Sequence, residues 1–184
     1  MYEVELKTEI SSDQKKKLKL ALEDKGFKFG ETVTLNDYYF EAKESIHGGY
    51  DLKRYRREGD KYFYTEKIWH KTGETLARKE DEHEVTKEEF EAEISKYTEA
   101  IKILKDRDYY KGKINEDIVT VVIDNVKFNH SKDMRYFFEA EVVVKDIEQV
   151  KEKKDFIRGF MSGLLGVSEF IDAPGMFTMA IKGL

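Results

Sequence analysis

The sequence contains no cysteine, which excludes disulfides, thiolate nucleophiles, Cys-ligated zinc and iron–sulfur clusters together. Its one proline, Pro174, leaves no Pro-rich linker and no marked domain boundary. No stretch approaches the ~18 apolar residues of a membrane-spanning helix. Charge begins at Glu3, so no signal-peptide core is expected, and a cytoplasmic protein is the expectation. A surplus of one charge is also missing. Lys and Arg number 33 against 38 Asp and Glu, a net of −5, which argues against binding nucleic acid through bulk positive charge.

What is there is charge of both signs and many rings. Charged residues make up 39% of the 184 positions, yet 12 Phe and 11 Tyr are spread along the chain, so it is not disordered. That length suits a single domain over 1–184.

The dominant local pattern is alternation, the signature of strands. It covers Tyr2–Ile10, Phe27–Glu41, Asp51–Arg57, Lys61–His70, Thr75–Val85, Lys105–Lys111, Asp117–Phe128 and Met134–Lys145. Turns are expected at His47-Gly48-Gly49, Glu58-Gly59-Asp60 and Lys71-Thr72-Gly73-Glu74. Ser11 with Gln14 reads as a capping box opening a helix that Gly26 closes. Thr86 with Glu89 opens a second, along which Phe90, Ile94, Tyr97, Ile101 and Leu104 recur at helical spacing. A third is expected over Ile147–Leu165, and a short fourth opened by Pro174 and ending near Lys182. The class is α+β with strands dominant.

One face of almost every strand carries charges two residues apart, and residues i and i+2 share a face. The sets are Glu3/Glu5/Lys7, Arg54/Arg56, Arg78/Glu80/Glu82, Lys105/Arg107 and Glu139/Glu141. The opposite faces carry Val4/Leu6, Tyr55, Ala77 and Ala140/Val142, which can pack under helices. A solvated face would mix signs within a strand, whereas several of these sets are purely acidic or purely basic. The pattern fits a closed barrel with a charged interior. Carboxylates alone select Mg²⁺ or Mn²⁺ over softer metals. Arg and Lys beside them bind phosphate oxygens, and the combination points to a polyphosphate.

Glu3-Val4-Glu5-Leu6-Lys7 is a Glu-x-Glu-x-Lys motif. It resembles the opening motif of the triphosphate tunnel metalloenzymes, also called the CYTH superfamily. Further segments follow in the family's order: Asp37-Tyr38-Tyr39-Phe40, Leu52-Lys53-Arg54-Tyr55-Arg56, Thr65-Glu66-Lys67, Arg78-Lys79-Glu80-Asp81-Glu82, Lys105-Asp106-Arg107, Ile123-Asp124-Asn125-Val126 and Glu139-Ala140-Glu141. The resemblance covers roughly residues 3–165. It implies an eight-stranded antiparallel tunnel with helices outside. It makes Glu3, Glu5, Glu139 and Glu141 the metal carboxylates, with Asp124 assisting, and Mg²⁺ or Mn²⁺ the cofactor. Lys7, Arg54, Arg56, Lys67, Arg78, Lys105 and Arg107 would bind the triphosphate, Lys67 and Tyr39 would activate water, and Glu80 and Glu82 would support the basic residues. A homodimer is compatible with the resemblance.

Three activities follow as alternatives: a metal-dependent triphosphatase, a class IV adenylate cyclase, and a non-catalytic binder of nucleotides or polyphosphates. The His-Phe pair that such cyclases often carry ahead of the first motif is missing, which favours hydrolysis. The usual Gly before the late Glu-x-Glu strand is replaced by Asn129-His130-Ser131-Lys132. The tunnel-closing residue has no clear match beyond Phe177 or Lys182. His47, His70, His83 and His130 show no metal spacing, Trp69 reads as packing, and Lys15-Lys16-Lys17 reads as a solvated helix face. An empty tunnel of this kind is expected to crowd its cations against few anions.

Overall fold

The computed structural model describes residues 2–46, 50–72, 75–97, 100–128 and 131–183, with backbone alone at 72 and 75–77. The turns expected at His47-Gly48-Gly49 and Gly73-Glu74, the segment Asn129-His130 and the packing of Ala77 lie outside the described side chains. Eight strands close into one antiparallel barrel. They are β1 (Tyr2–Ile10), β2 (Lys28–Glu44), β3 (Tyr50–Glu58), β4 (Lys61–Thr72), β5 (Thr75–Val85), β6 (Ile101–Ile114), β7 (Asp117–Phe128) and β8 (Arg135–Val144). Around the barrel they run β1-β5-β4-β3-β2-β6-β7-β8. Among the described residues the β1–β5 seam pairs at Glu3 and Arg78, while β1 pairs with β8 from Tyr2 to Ile10.

Helix α1 (Ser12–Asp24) starts at the expected capping box, Ser11 with Gln14. Gly26 follows its end at a φ of 79°, a conformation only glycine takes without strain. Leu18 and Leu22 of α1, with Ile157 and Met161 of α3 (Val150–Leu165), cover the outward Val4, Leu6, Ala140 and Val142. That is the apolar side of the alternation seen in the sequence. Phe27 stacks on Phe160 at 5.4 Å and lies over Gly112, where a Cβ would come within 2.7 Å of the ring. Helix α2 (Lys87–Lys96) starts at the Thr86–Glu89 capping box and sets Phe90 against Tyr38, Tyr55 and Tyr62. No helix among the described residues is long and apolar enough to cross a membrane.

Several expectations need correction. The helical spacing from Phe90 to Leu104 does not hold to its end: α2 is capped at Tyr97, and Ile101 and Leu104 belong to β6. From Ile103 onward, Ile103, Lys105 and Arg107 face inward, and this two-residue period governs the segment. β6 therefore begins four residues before the expected Lys105. The helix expected from Ile147 is a 3-10 turn, Ile147–Gln149, leading into α3. Pro174 stands just ahead of α4 (Met176–Lys182), whose N-cap is Gly175. Lys15 is not free in solvent: its Nζ donates to Asn125 Oδ1 at 2.6 Å.

Met176, Phe177 and Met179 of α4 are buried against Tyr39, Ile103, Val126, Phe128 and Phe137. These are inward residues at one end of the barrel, so α4 stops that end with the chain's own side chains. The segment leading to α4 is tied to β1: Ala173 N–H donates to the Lys7 carbonyl at 2.7 Å, and Thr8 Oγ1 to the Ile171 carbonyl at 2.9 Å.

Candidate active site

A cavity of about 350 Å³ occupies the barrel interior. All seven basic residues picked out in the sequence line it: Lys7, Arg54, Arg56, Lys67, Arg78, Lys105 and Arg107. So do Glu3, Glu5, Glu139 and Glu141, the supporting Glu80 and Glu82, and Tyr39. Asp124 does not line it. It is fully buried, and its two oxygens accept from Arg107 Nε and Nη2, each at 2.7 Å. In this arrangement Asp124 serves the site through Arg107, with no oxygen turned to the cavity.

The strand period explains the convergence. Glu3, Glu5 and Lys7 occupy the inner face of β1, and Glu139 and Glu141 that of β8. Register sets Glu5 opposite Glu141 and Lys7 opposite Glu139. Arg54 of β3 stands opposite Thr65 of β4, which stands opposite Glu82 of β5. Arg54 Nη2 donates to Thr65 Oγ1 at 2.9 Å and to Glu82 Oε2 at 2.8 Å.

The cations are not crowded against few anions, as the composition of the motifs led us to expect. Each has an internal counter-ion. Lys7 lies 2.8 Å from Glu5 and 2.7 Å from Glu139. Arg78 lies 2.9 Å from Glu5, Lys67 pairs with Glu80, and Arg56 and Lys105 share Asp37 at 2.7 Å each. The reason is the same parity: Asp37, Glu80, Glu82 and Asp124 stand on the inner face of their strands beside the cations.

These pairs set the protonation states. Burial alone would raise Glu5, but Lys7 and Arg78 hold it well below the usual carboxylate range. Burial also opposes Glu80, which Lys67 and Arg54 bring down to about 2. Glu3 goes the other way: burial raises it well above the usual range, Lys67 opposes, and Glu5, Glu80 and Glu141 add to the rise. Burial lowers Lys67, with Arg78 reinforcing and Glu80 opposing. Lys105, 2% exposed, is pushed down by burial to about 8. Burial and Asp37 push Tyr39 up to about 12, so it is a protonated donor.

The donor set fits a hard cation. It is all oxygen, it places Glu5 and Glu141 face to face, where like charges repel, and buried Glu3 Oε2 has no hydrogen-bond partner. Among the described residues no three His, Asp or Glu side chains stand in ready coordinating geometry, because Glu5 and Glu139 are turned to Lys7 and Arg78.

Sequence reasoning assigned no role to Asp37 or Thr65, although both share the inward parity of residues it did choose, Tyr39 and Lys67. It set Trp69 aside as packing. Trp69 lines the cavity, with the Arg78 guanidinium 5.9 Å from its ring centre. Tyr50, Tyr109 and Phe177 line it too, whereas Lys182 is exposed. Of the two residues considered for closing the tunnel, Phe177 is the one in place. His83 is exposed, its ring 5.4 Å from that of Tyr64.

Comparison with known proteins agrees with this geometry. The family model for the CYTH domain matches residues 1–169. No curated protein matches the chain. The PH1819 protein of Pyrococcus horikoshii OT3 superposes with a TM-score of 0.71 at 20% identity, covering 100% of both chains. The PH1012 protein of the same organism gives 0.67 at 24% identity, covering 95% of this chain and 96% of its own. HpAC1 of Hippeastrum, an adenylyl cyclase by name described as having a dominant triphosphatase activity, gives 0.62 at 17% identity, covering 100% and 96%.

Proposed function

The chain belongs to the CYTH family, and from that premise we propose that it is a metal-dependent hydrolase of linear triphosphate groups. One observation carries the reading: seven cations and the Glu3, Glu5, Glu139 and Glu141 carboxylates face a single cavity. Polyphosphate is the ligand whose own charge needs both. Enzymes of the family generally depend on a divalent metal. Glu3, Glu5, Glu139 and Glu141 would hold Mg²⁺ or Mn²⁺ here, and the ion supplies charge neutralisation and polarisation of the phosphoryl oxygens.

The chain's own residues do the rest. Arg54, Arg56, Arg78 and Arg107 grip non-bridging oxygens, Arg in bidentate fashion, and hold the phosphate row straight. They also stabilise the charge that grows on the terminal phosphoryl group. Lys67, lowered by burial and by Arg78, accepts the proton of the attacking water in its neutral amine form, and ionised Glu80 beside it stabilises the ammonium that results. Tyr39, whose one proton goes to Asp37, turns its hydroxyl oxygen to accept from that water and orient it. The water oxygen bonds to the terminal phosphorus as the bridging P–O bond breaks, and the leaving diphosphate unit carries the bond's electrons away. The triphosphatase activity described for HpAC1 is in line with this reading.

The test is product analysis. With inorganic triphosphate, ATP and thiamine triphosphate offered in Mg²⁺ or Mn²⁺, orthophosphate should appear from at least one. Cyclic AMP and pyrophosphate from ATP, without orthophosphate, would replace hydrolysis by cyclisation. A Lys67→Ala variant should lose turnover more than affinity. A change confined to affinity would make Lys67 a phosphate clamp.

A further inference from the structure

Asp37 has no part in the steps above, yet it is the most heavily bonded acid in the tunnel wall. It has no exposed surface and does not line the cavity. Its Oδ1 accepts from Arg56 Nε at 2.7 Å, and its Oδ2 from Arg56 Nη2 at 3.2 Å and the Tyr39 hydroxyl at 3.2 Å. Lys105 Nζ lies 2.7 Å from the same Oδ2. The three partners do line the cavity, and they come from three neighbouring strands, β3, β2 and β6. One carboxylate therefore joins three cavity-lining side chains from behind.

We propose that Asp37 is a positioning residue: its carboxylate, which also accepts the one Tyr39 proton, holds Arg56 and Lys105 in a fixed arc from which they receive one phosphate group of the substrate. This rests on the triphosphatase reading. The donor arithmetic allows it. A guanidinium has five N–H groups, of which Arg56 gives two to Asp37, and an ammonium has three, of which Lys105 gives one. The remaining donors point elsewhere, and a phosphate needs no displacement of Asp37. Without that carboxylate, Arg56 and Lys105 would repel each other and part. Lys105 is faced by Asp37 from β2, Arg56 from β3, Asp124 from β7 and Arg107 on its own strand. Asp37 is the largest influence keeping Lys105 charged against burial.

Two variants test this. Asp37→Glu keeps the charge and moves the carboxylate by one methylene. Turnover of inorganic triphosphate should fall by about tenfold or more, on the scale of a misplaced binding group. Its dissociation constant, measured in EDTA, should change by less than about threefold, because the charges are the same. A normal kcat in Asp37→Glu would overturn the positioning role. The second readout needs no turnover. In the free protein, NMR titration of the Lys105 ε-methylene, assigned by its loss in Lys105→Arg, should have its midpoint at about 8. In Asp37→Asn it should fall by about one unit or more, since the counter-ion is gone. An unmoved midpoint in folded Asp37→Asn would also overturn the proposal. If Asp37→Asn does not fold, Asp37→Glu replaces it in the titration: a displaced midpoint supports the contact and an unmoved one refutes it. A wild-type protein that leaves triphosphate intact would remove the proposed hydrolysis and leave the titration to judge Asp37.

Discussion

Lys105 shows how burial and charge settle a single side chain. Its folded value of about 8 lies below its ordinary 10.5, so between those values the unfolded chain holds more protons. Stability therefore rises with pH across that window, and the cost of burying the charged amine is fully present below pH 8. Lys105→Met should flatten that part of the stability–pH curve, read by urea unfolding at pH steps. An unchanged slope would show that Lys105 titrates normally. The carboxylates differ in kind. Glu5→Gln and Glu141→Gln should each lower turnover by about a hundredfold, the scale of one lost transition-state interaction. Only Glu5→Gln should also lower the melting temperature, because Glu5 carries ion pairs to Lys7 and Arg78. Near-normal rates in both would make these carboxylates structural. Arg54→Ala should cost about 2 kcal/mol or more, since it takes a charged donor from buried Thr65, Glu80 and Glu82 and leaves Glu82, among the described residues, with the Thr65 hydroxyl alone. The opposite sign would follow from uncompensated cation crowding, which the counter-ions exclude.

At the scale of elements, capping and period were legible, and long-range competition was not. Ser11–Gln14 and Thr86–Glu89 mark their helices from local chemistry alone. The helical spacing of Ile101 and Leu104 was a coincidence of position, overridden because β6 must pair with both β2 and β7. Asp37 and Thr65 were invisible as site residues, since neither forms a like-charge i, i+2 set and only the barrel brings partners to them. The close approach of Phe27 to Gly112 had no sequence signal either. Gly112→Ala should destabilise by about 1–3 kcal/mol as the ring is forced aside, measured by thermal or urea unfolding. A neutral result would show that Phe27 moves freely. Phe177 at the α4 end was within reach of the sequence, but choosing it over Lys182 required seeing the barrel end filled.

For the whole molecule, closure is what turns the charged face of a sheet into a site. A flat sheet would leave Glu3, Arg54 and Lys105 on water, whereas the barrel sets all of them on one cavity. The alternation of charge on five of the eight strands made that closure readable, because no solvated face needs it. Ligand should stabilise the fold through the same convergence. At about 100 times the dissociation constant, linkage gives about 2.7 kcal/mol. For a domain of this size the melting temperature should rise by about 5–10 °C with triphosphate and metal. Orthophosphate, reaching few of the cations, should give almost no rise, and equal shifts would contradict a tunnel that reads a row of phosphates.

The most direct measurement is ³¹P NMR of inorganic triphosphate incubated with the protein and Mg²⁺ or Mn²⁺. The account predicts that the triphosphate resonances give way to pyrophosphate and orthophosphate in equal amounts, and that excess EDTA stops the conversion. Triphosphate left unchanged with either metal, or consumed equally fast in EDTA, would contradict it.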